Sequence, residues 1–470
     1  MRCIMWVLFG SMDLLGKDVG VMRIAITKPL FAWDCLEDNP SLRTVREFLG
    51  SVPDERLLRE LALHRGKGRN EYPVRVLWGT LLLTIVLRHP SIESCLGDLH
   101  RNEGLRLLLG IEQEAGIPKK WNMSRFLNRL GGERFLPLVH EVFNRMVGRL
   151  AEEVKDLGKH TAGDSAHLSG RASRGGSRKF SGGLAGPSGG RKEYVREDGT
   201  VDHVVEWFGY KFHLLVDVKH EVVVSHRETT ASVADCTVLP ELVSEARGNL
   251  GEGRMETVAY DKAADTEPVH EVLGASGIAP VIQNRCLWEG EHERMLPGHD
   301  GTSNVVYDES GTVYCYDKTS SPPVRHQMSY AGHEKSRGTL KYRCPAMVER
   351  WSCPHRRVCN KGRKFGKTVR VAREIDARRF PPIPRATKKF ERLYRGRTAV
   401  ERVNARCKVF WGADDGNIAG PERFHAYMEA VLIVHIGLAT LLARAPRWEG
   451  TLSRTRLTPI AHALHGKRGA

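Results

Sequence analysis

The sequence predicts an α/β fold in which a helical N-terminal domain precedes a strand-rich core that is interrupted by a β-rich insertion. Three observations lead there. Apolar residues recur at helical spacing over 40–157. Beyond residue 200, short β-branched runs bounded by turn residues follow, and the apolar Thr257–Tyr260 leads into Asp261, then a helix, then a second strand at Ile278–Ile282. After Pro384 the helical periodicity returns and persists through Phe424–Arg444.

The chain has 470 residues, 41% of them hydrophobic, and a net charge of +16. That length suggests about two to four domains. The charge points to a polyanionic partner, nucleic acid ahead of an anionic membrane. The longest apolar runs, Val76–Leu87 and Ala430–Ala443, fall short of the ~18–20 residues of a spanning helix, so no membrane partner is expected. Residues 1–39 read as an N-terminal extension. Its apolar run Ile4–Phe9 follows Arg2, but no small-residue cleavage region clearly comes after it, and a start at Met22 is an equal alternative. Ten scattered cysteines do not form a secreted disulfide framework, which leaves the cytoplasm as the default.

Residues 40–157 should form several short helices. Leu57, Leu58, Leu61 and Leu63 make one stripe, Val74–Leu87 a buried helix after Pro73, and Val139, Val142, Phe143, Met146 and Val147 another. Such a domain suits DNA-end binding or oligomerisation, or plain support. Residues 158–283 form the first part of the core. Within them, 170–194 reads as a disordered, basic, Gly-rich loop with Arg171, Arg174, Arg178 and Lys179, suited to contacting phosphates. Strands are expected at His203–Phe208, Lys211–Val216 and Glu221–Ser225, and a helix at Leu239–Ala246. Residues 284–387 read as the inserted, Cys-containing, basic subdomain, 388–446 as helices completing the core, and 447–470 as a basic tail.

The chemistry gathers on the helix that starts at Lys388. With Tyr394 set at zero, Arg397, Glu401 and Lys408 fall at roughly −60°, −20° and −40° on a helical wheel. Val400, Val403, Cys407 and Phe410 lie on the opposite side. One face is core-like, and the other presents a carboxylate among two cations and a phenol. Between His355 and Arg397 there are 16 Lys/Arg against 3 Asp/Glu, which is +13 of the net +16.

The spacing Tyr394-x2-Arg397-x3-Glu401-x6-Lys408 resembles the signature of the DDE-type transposases of bacterial insertion sequences, where it carries the third catalytic acid. Tyr72-Pro-Val-Arg75, Ser91–Leu99, Leu107–Gly110 and Ser124–Phe126 are similar to their helical N-terminal domain, so the resemblance spans most of 55–445. It implies an RNase H-like catalytic core and two upstream aspartates. Asp261 and, in His160-Thr-Ala-Gly-Asp-Ser165, Asp164 take those places, with Asp217 as the rival to Asp164. The family commonly follows the second acid with Lys, Gly and Tyr; here Lys262, Ala263, Ala264 and Asp265 follow.

The resemblance further implies two Mg²⁺ (or Mn²⁺) ions at Asp164, Asp261 and Glu401, since three carboxylates offer the oxygen ligands that hard cations prefer. It implies cleavage at element ends and strand transfer into target DNA, with Tyr394, Arg397 and Lys408 on DNA and a homodimer pairing two ends. An RNase H-like nuclease that only cuts, an inactive copy that binds DNA, and a zinc-dependent nucleic-acid-binding regulator are the alternatives. In the insertion, Cys344-x8-Cys353-x5-Cys359 with Cys315 upstream and His355 nearby is a candidate structural Zn²⁺ site, against plain reduced cysteines. Trp288 is a candidate for stacking on an extruded base, against an ordinary core residue.

Overall fold

Two largely apolar helices organise the protein, because a helix that is apolar around most of its surface must be enclosed. They are the helices Val74–Val86 and Pro421–Arg444, the second 24 residues long. The computed structural model describes residues 9–12, 18–21, 40–66, 71–171, 184, 186–196, 200–290, 292–296, 303–415, 418–446, 448 and 450–465. A two-stranded ribbon, β1 (Phe9–Met12) and β2 (Asp18–Val21), precedes the helical domain.

That domain comprises α1 (Pro40–Ser51), α2 (Glu55–Arg65), α3 (Val74–Val86), α4 (Ile92–Arg101), α5 (Glu103–Leu108), α6 (Lys120–Leu130) and α7 (Leu136–Glu153). The Ser91 hydroxyl caps α4 by accepting from the Ser94 N–H at 3.1 Å. Inside α3, Thr80 and Thr84 donate to the carbonyls of Val76 and Thr80 at 2.7 and 2.8 Å, so neither buried hydroxyl is left unpaired.

The central sheet has the order β4-β5-β3-β7-β8, with β6 also on β5. Its strands are β3 (His160–Ser169), β4 (Ser188–Val195), β5 (Val201–Asp217), β6 (Val223–Thr230), β7 (Thr257–Tyr260) and β8 (Ala279–Ile282). β3, β5 and β6 run antiparallel in succession. The chain then crosses through α8 (Asp235–Leu250) to β7, parallel to β3, and through α9 (Glu267–Ala275) to β8, parallel to β7. The insertion folds as two antiparallel sheets. One holds β9 (Arg294–Met295), β10 (Val305–Tyr307), β11 (Val313–Asp317) and β12 (Val324–Gln327); the other holds β13 (Ser329–Glu334), β14 (Thr339–Arg343) and β15 (Thr368–Ala372). Short helices α10 (Pro345–Glu349) and α11 (Arg356–Asn360) lie between β14 and β15. The insertion has its own apolar core, built from residues such as Val305, Val313, Leu340, Val371 and Phe380.

After it come α12 (Lys388–Arg395), α13 (Thr398–Ala405), a π-helical segment at Arg406–Phe410, α14 (Pro421–Arg444) and α15 (Leu457–His465). α14 packs on α3, α6 and α7 of the helical domain and on β6 of the sheet, so both units share one core. It is long and apolar enough to cross a membrane, yet 89% of its most apolar window is buried in this fold. Gly437 permits a close crossing: a Cβ there would lie 2.3 Å from the Phe48 ring.

Several expectations change. The strands expected at 203–208 and 211–216 are one continuous strand, β5. The expected disordered loop at 170–194 contains β4, which pairs with the first half of β5; residues 172–183 and 185 lie outside the described residues. The basic tail at 447–470 carries α15, which packs on α1.

The insertion is tied to the sheet through one carboxylate. Asp265 is fully buried and accepts from Arg378 Nε, Arg385 Nη2 and the Arg285 N–H at 2.9, 2.9 and 2.8 Å, with His270 Nε2 at 2.9 Å. Burial pushes its carboxyl up, but His270, Arg385, the Arg285 amide and Arg378 outweigh that and hold it below the usual range. Removing one partner of a buried ion pair strands the other. Asp265→Ala should therefore cost about 3–5 kcal/mol in urea denaturation. Because the folded value is depressed, the stabilisation is present above the unfolded value near ~4 and is lost as pH falls through the folded one. The gap between wild type and Asp265→Asn should close on acidification.

Candidate active site

The register of the central sheet sets two acids side by side. β3 and β7 are parallel, with Thr161 opposite Val258 and Ala162 opposite Ala259. Continued two residues past its last paired position, this register would carry Asp164 to the level of Asp261, which directly follows β7; the Asp261 charge acts on Asp164. Neighbouring strands lie only ~4.8 Å apart, and directly opposed residues in a parallel pair point to the same face. Gly163 permits the local packing, because a Cβ there would lie 2.4 Å from the Tyr260 ring.

Each aspartate spends part of its capacity on the backbone. Asp164 Oδ1 accepts from the Ser165 N–H and Asp261 Oδ1 from the Ala263 N–H, both at 2.9 Å. The Lys262-Ala263-Ala264 sequence forms a 3₁₀ turn that Asp261 caps. Asp164 is mostly buried, and burial raises its carboxyl to about 6; the Ser165 amide and Arg397 oppose the shift, while the Asp261 charge adds to it.

The third acid arrives on α13, which packs against β3 and β5. Arg397, at the start of α13, donates to Asp164 Oδ2 at 3.2 Å and to Glu401 Oε1 at 2.8 Å. Its guanidinium is also stabilised by Asp261. One cation thus sits among all three carboxylates. Two further arginines hold the helix down. Arg402 Nε and Arg406 Nη2 donate to the two oxygens of Glu221, in the β5–β6 turn, at 2.6 and 2.8 Å.

The helix expected from Lys388 onward is not continuous. It is broken at Gly396–Arg397, where a Cβ on Gly396 would meet the Val218 side chain at 2.7 Å. Tyr394 closes α12, stacks on Phe390 with rings 5.8 Å apart, and senses Arg397 and both aspartates; burial raises its phenol. Lys408 lies in the π-helical segment, where its Nζ is 3.6 Å from Asp414 Oδ2, and burial lowers its ammonium. The wheel arithmetic holds over α13, where Val400 and Val403 are buried and Glu401 is exposed.

Asp217 sits elsewhere. It is buried, faces Thr161 in the register, and accepts from the Gly158 and His220 amides, a turn-closing role. A carboxylate the sequence reading missed, Asp235, lies beside the site. It accepts from the Ser165 hydroxyl at 2.9 Å and pairs with Lys211 at 2.6 Å, so its charge is already matched.

A family model described as a transposase DDE domain matches residues 188–436, more than half of the chain and including Asp261 and Glu401. The chain belongs to the DDE transposase family. No curated protein matches it.

Elsewhere in the transposase, Cys315, Cys344, Cys353 and Cys359 line one cavity of about 20 Å³, together with His326 and His355. Burial pushes the Cys315 thiol up to about 12, and the other three add to the shift. No three of the sulfurs lie within 4.8 Å of one another. Trp288 packs edge-on against Tyr307 in the core of the insertion, with Arg294 and Arg379 over its ring at 4.2 and 4.8 Å.

The 16 basic residues between 355 and 397 do not all face solvent as one track. Arg370, Arg378, Arg379, Arg385, Arg395 and Arg397 are paired with carboxylates within the fold. Arg356, Arg357, Lys361, Arg363, Lys364, Lys388, Lys389 and Arg392 are exposed.

Asp164 should register as a stability cost. A carboxyl raised from 3.8 to about 6 favours the folded state while protonated, and that advantage is lost as pH rises through this window. In chelator, Asp164→Asn should exceed wild type at pH 7 by on the order of 2–3 kcal/mol, with the difference vanishing below about pH 4. Denaturation at both pH values measures it.

Proposed function

We propose that the transposase cleaves DNA at the ends of an insertion sequence and transfers the freed 3′ ends into target DNA, with Asp164, Asp261 and Glu401 as its catalytic acids. The observation that carries this is that Arg397 joins Asp164 to Glu401 while the Asp261 charge acts on both Asp164 and Arg397. The sheet order, an antiparallel triplet followed by two parallel strands reached through helices, supports the RNase H-like reading of the core.

The donor set suits Mg²⁺ or Mn²⁺. Three carboxylates converge, and the first is held against its own ionisation by burial and by the second. A pair of divalent ions bound there supplies activation of the attacking water or 3′-hydroxyl and stabilisation of the leaving oxygen. The protein's own groups do the rest. Arg397 neutralises the acids and can turn its guanidinium to a phosphate near the scissile end. Tyr394 offers a phenol beside it. Lys408 reaches DNA only by leaving Asp414. The exposed cations of 356–364 and 388–392 supply nonspecific phosphate contacts with a steep salt dependence. Two ends must be paired, which calls for a homodimer, and the helical domain is the candidate for end binding. In the insertion the four thiols are the donors for one structural Zn²⁺, and their sulfurs would draw together on binding it.

The test uses labelled element-end DNA with Mg²⁺. Wild type should nick the end and join it to a target duplex. Asp261→Asn and Glu401→Gln should each lose both steps by at least about 10³-fold while still binding DNA. Nicking without joining would support the nuclease reading. Unchanged activity in Asp261→Asn would remove the catalytic assignment. Metal analysis of the Cys344→Ser, Cys353→Ser double variant should show one Zn²⁺ fewer than wild type.

A further inference from the structure

Away from the three acids, two histidines and three glutamates meet where α7 and β6 lie beneath α14. His140, on α7, directs Nε2 to Glu245 on α8, and its Nδ1 lies 2.8 Å from Glu429 Oε1 on α14. His226, on β6, directs Nδ1 to Glu228 Oε1 at 3.1 Å and Nε2 toward Glu429 Oε2 at 3.4 Å. Each imidazole thus has one nitrogen held by an outer carboxylate and the other aimed at the same inner carboxylate. Metal-bound histidines are oriented in this way: the outer carboxylate takes the ring N–H and leaves the opposite lone pair for the ion.

A second observation points to a ligand. His226 Nε2 and Glu429 Oε2 are both buried, and neither makes a hydrogen bond. Their 3.4 Å separation is long for such a bond. It is close to the edge of a tetrahedron with metal bonds of ~2.0–2.1 Å, roughly 3.4 Å. Among the described residues, His140, His226 and Glu429 are the one set of three such donors within 4.8 Å of one another. Charge agrees. Among the described residues, the permanent cation paired with Glu228, Glu245 or Glu429 is Arg227, whose Nη1 is 3.3 Å from Glu245 Oε2 and whose Nε is shared with Glu241 at 3.6 Å. His425 Nδ1 stands 3.5 Å from Glu228 Oε2. With neutral imidazoles, the cluster lacks about two positive charges. Two ring protons could supply them, and so could one divalent ion.

We propose that His140, His226 and Glu429 bind one divalent transition-metal ion of the zinc class, with Glu245 and Glu228 as outer partners. Two imidazoles and a carboxylate are a donor set such ions accept. The ligands come from the helical domain, the central sheet and the helix that spans both, so the ion would pin these elements together. The catalytic acids take no part, so failure of this proposal leaves the proposed transposition chemistry standing.

The test uses the full chain carrying Cys344→Ser, Cys353→Ser and Asp261→Asn, so that neither the thiols of the insertion nor the catalytic acids hold metal. Protein stripped with a strong chelator is titrated with Co²⁺ and then Zn²⁺. One equivalent of Co²⁺ should bind, with visible d–d absorption and no thiolate charge-transfer band, and Zn²⁺ should displace it. His226→Gln should lose the site. Glu228→Gln keeps all three ligands and should weaken binding by about 10–100-fold, a readout that holds even if His226→Gln fails to fold. Absence of a Co²⁺ spectrum and of any rise in melting temperature with Zn²⁺ would overturn the proposal and leave two protonated imidazoles in its place. A site unaffected by Glu228→Gln and His226→Gln would overturn it as well.

Discussion

Burial of Asp164 beside Asp261 disfavours its charged form, and the elements around the site answer that cost. β3 and β7 cannot shift to relieve it, because each is hydrogen-bonded on both edges. The charge is answered by bringing in a cation, Arg397, on a helix from far along the chain. That helix in turn needs anchoring, which the Glu221 clamp on Arg402 and Arg406 provides. A site that is electrostatically uncomfortable by itself is one in which cations bind with most effect.

The same logic, opposite ion by opposite ion, joins the insertion to the core. Four residues after Asp261, Asp265 collects two arginines from the far end of the insertion. The turn that carries the second acid is therefore fixed on one side by the sheet and on the other by the insertion. Part of the basic run is consumed in this work: Arg378, Arg385 and Arg397 act as internal fasteners, while most of the other basic residues remain exposed.

What the sequence made legible follows local periodicity. The Glu401 face, the strand ending at Asp261 and the enclosed helices all have spacing that one window of residues can show. Failures have physical reasons. β5 was split in two because Gly209 looks like a turn, whereas it marks a close crossing: a Cβ there would lie 2.0 Å from the Leu168 carbonyl oxygen. The sequence of β3 carries little strand character because its middle must hold a small residue, Gly163, under Tyr260 and its end must present polar groups. The break at Gly396 and the π-helical segment are imposed by tertiary contacts that no wheel contains. Asp265, Glu221 and His140 each have a partner more than 100 residues away, at positions where sequence shows only isolated charges.

The helix Pro421–Arg444 is the last long element of the chain, yet it fills the interior of the first domain as well as covering the sheet. This has a consequence for shortened chains. A chain truncated before residue 421 would not leave a well-packed helical domain, because that fragment would expose the apolar surface α14 covers. Such a fragment would present a large apolar patch, which favours aggregation and proteolysis.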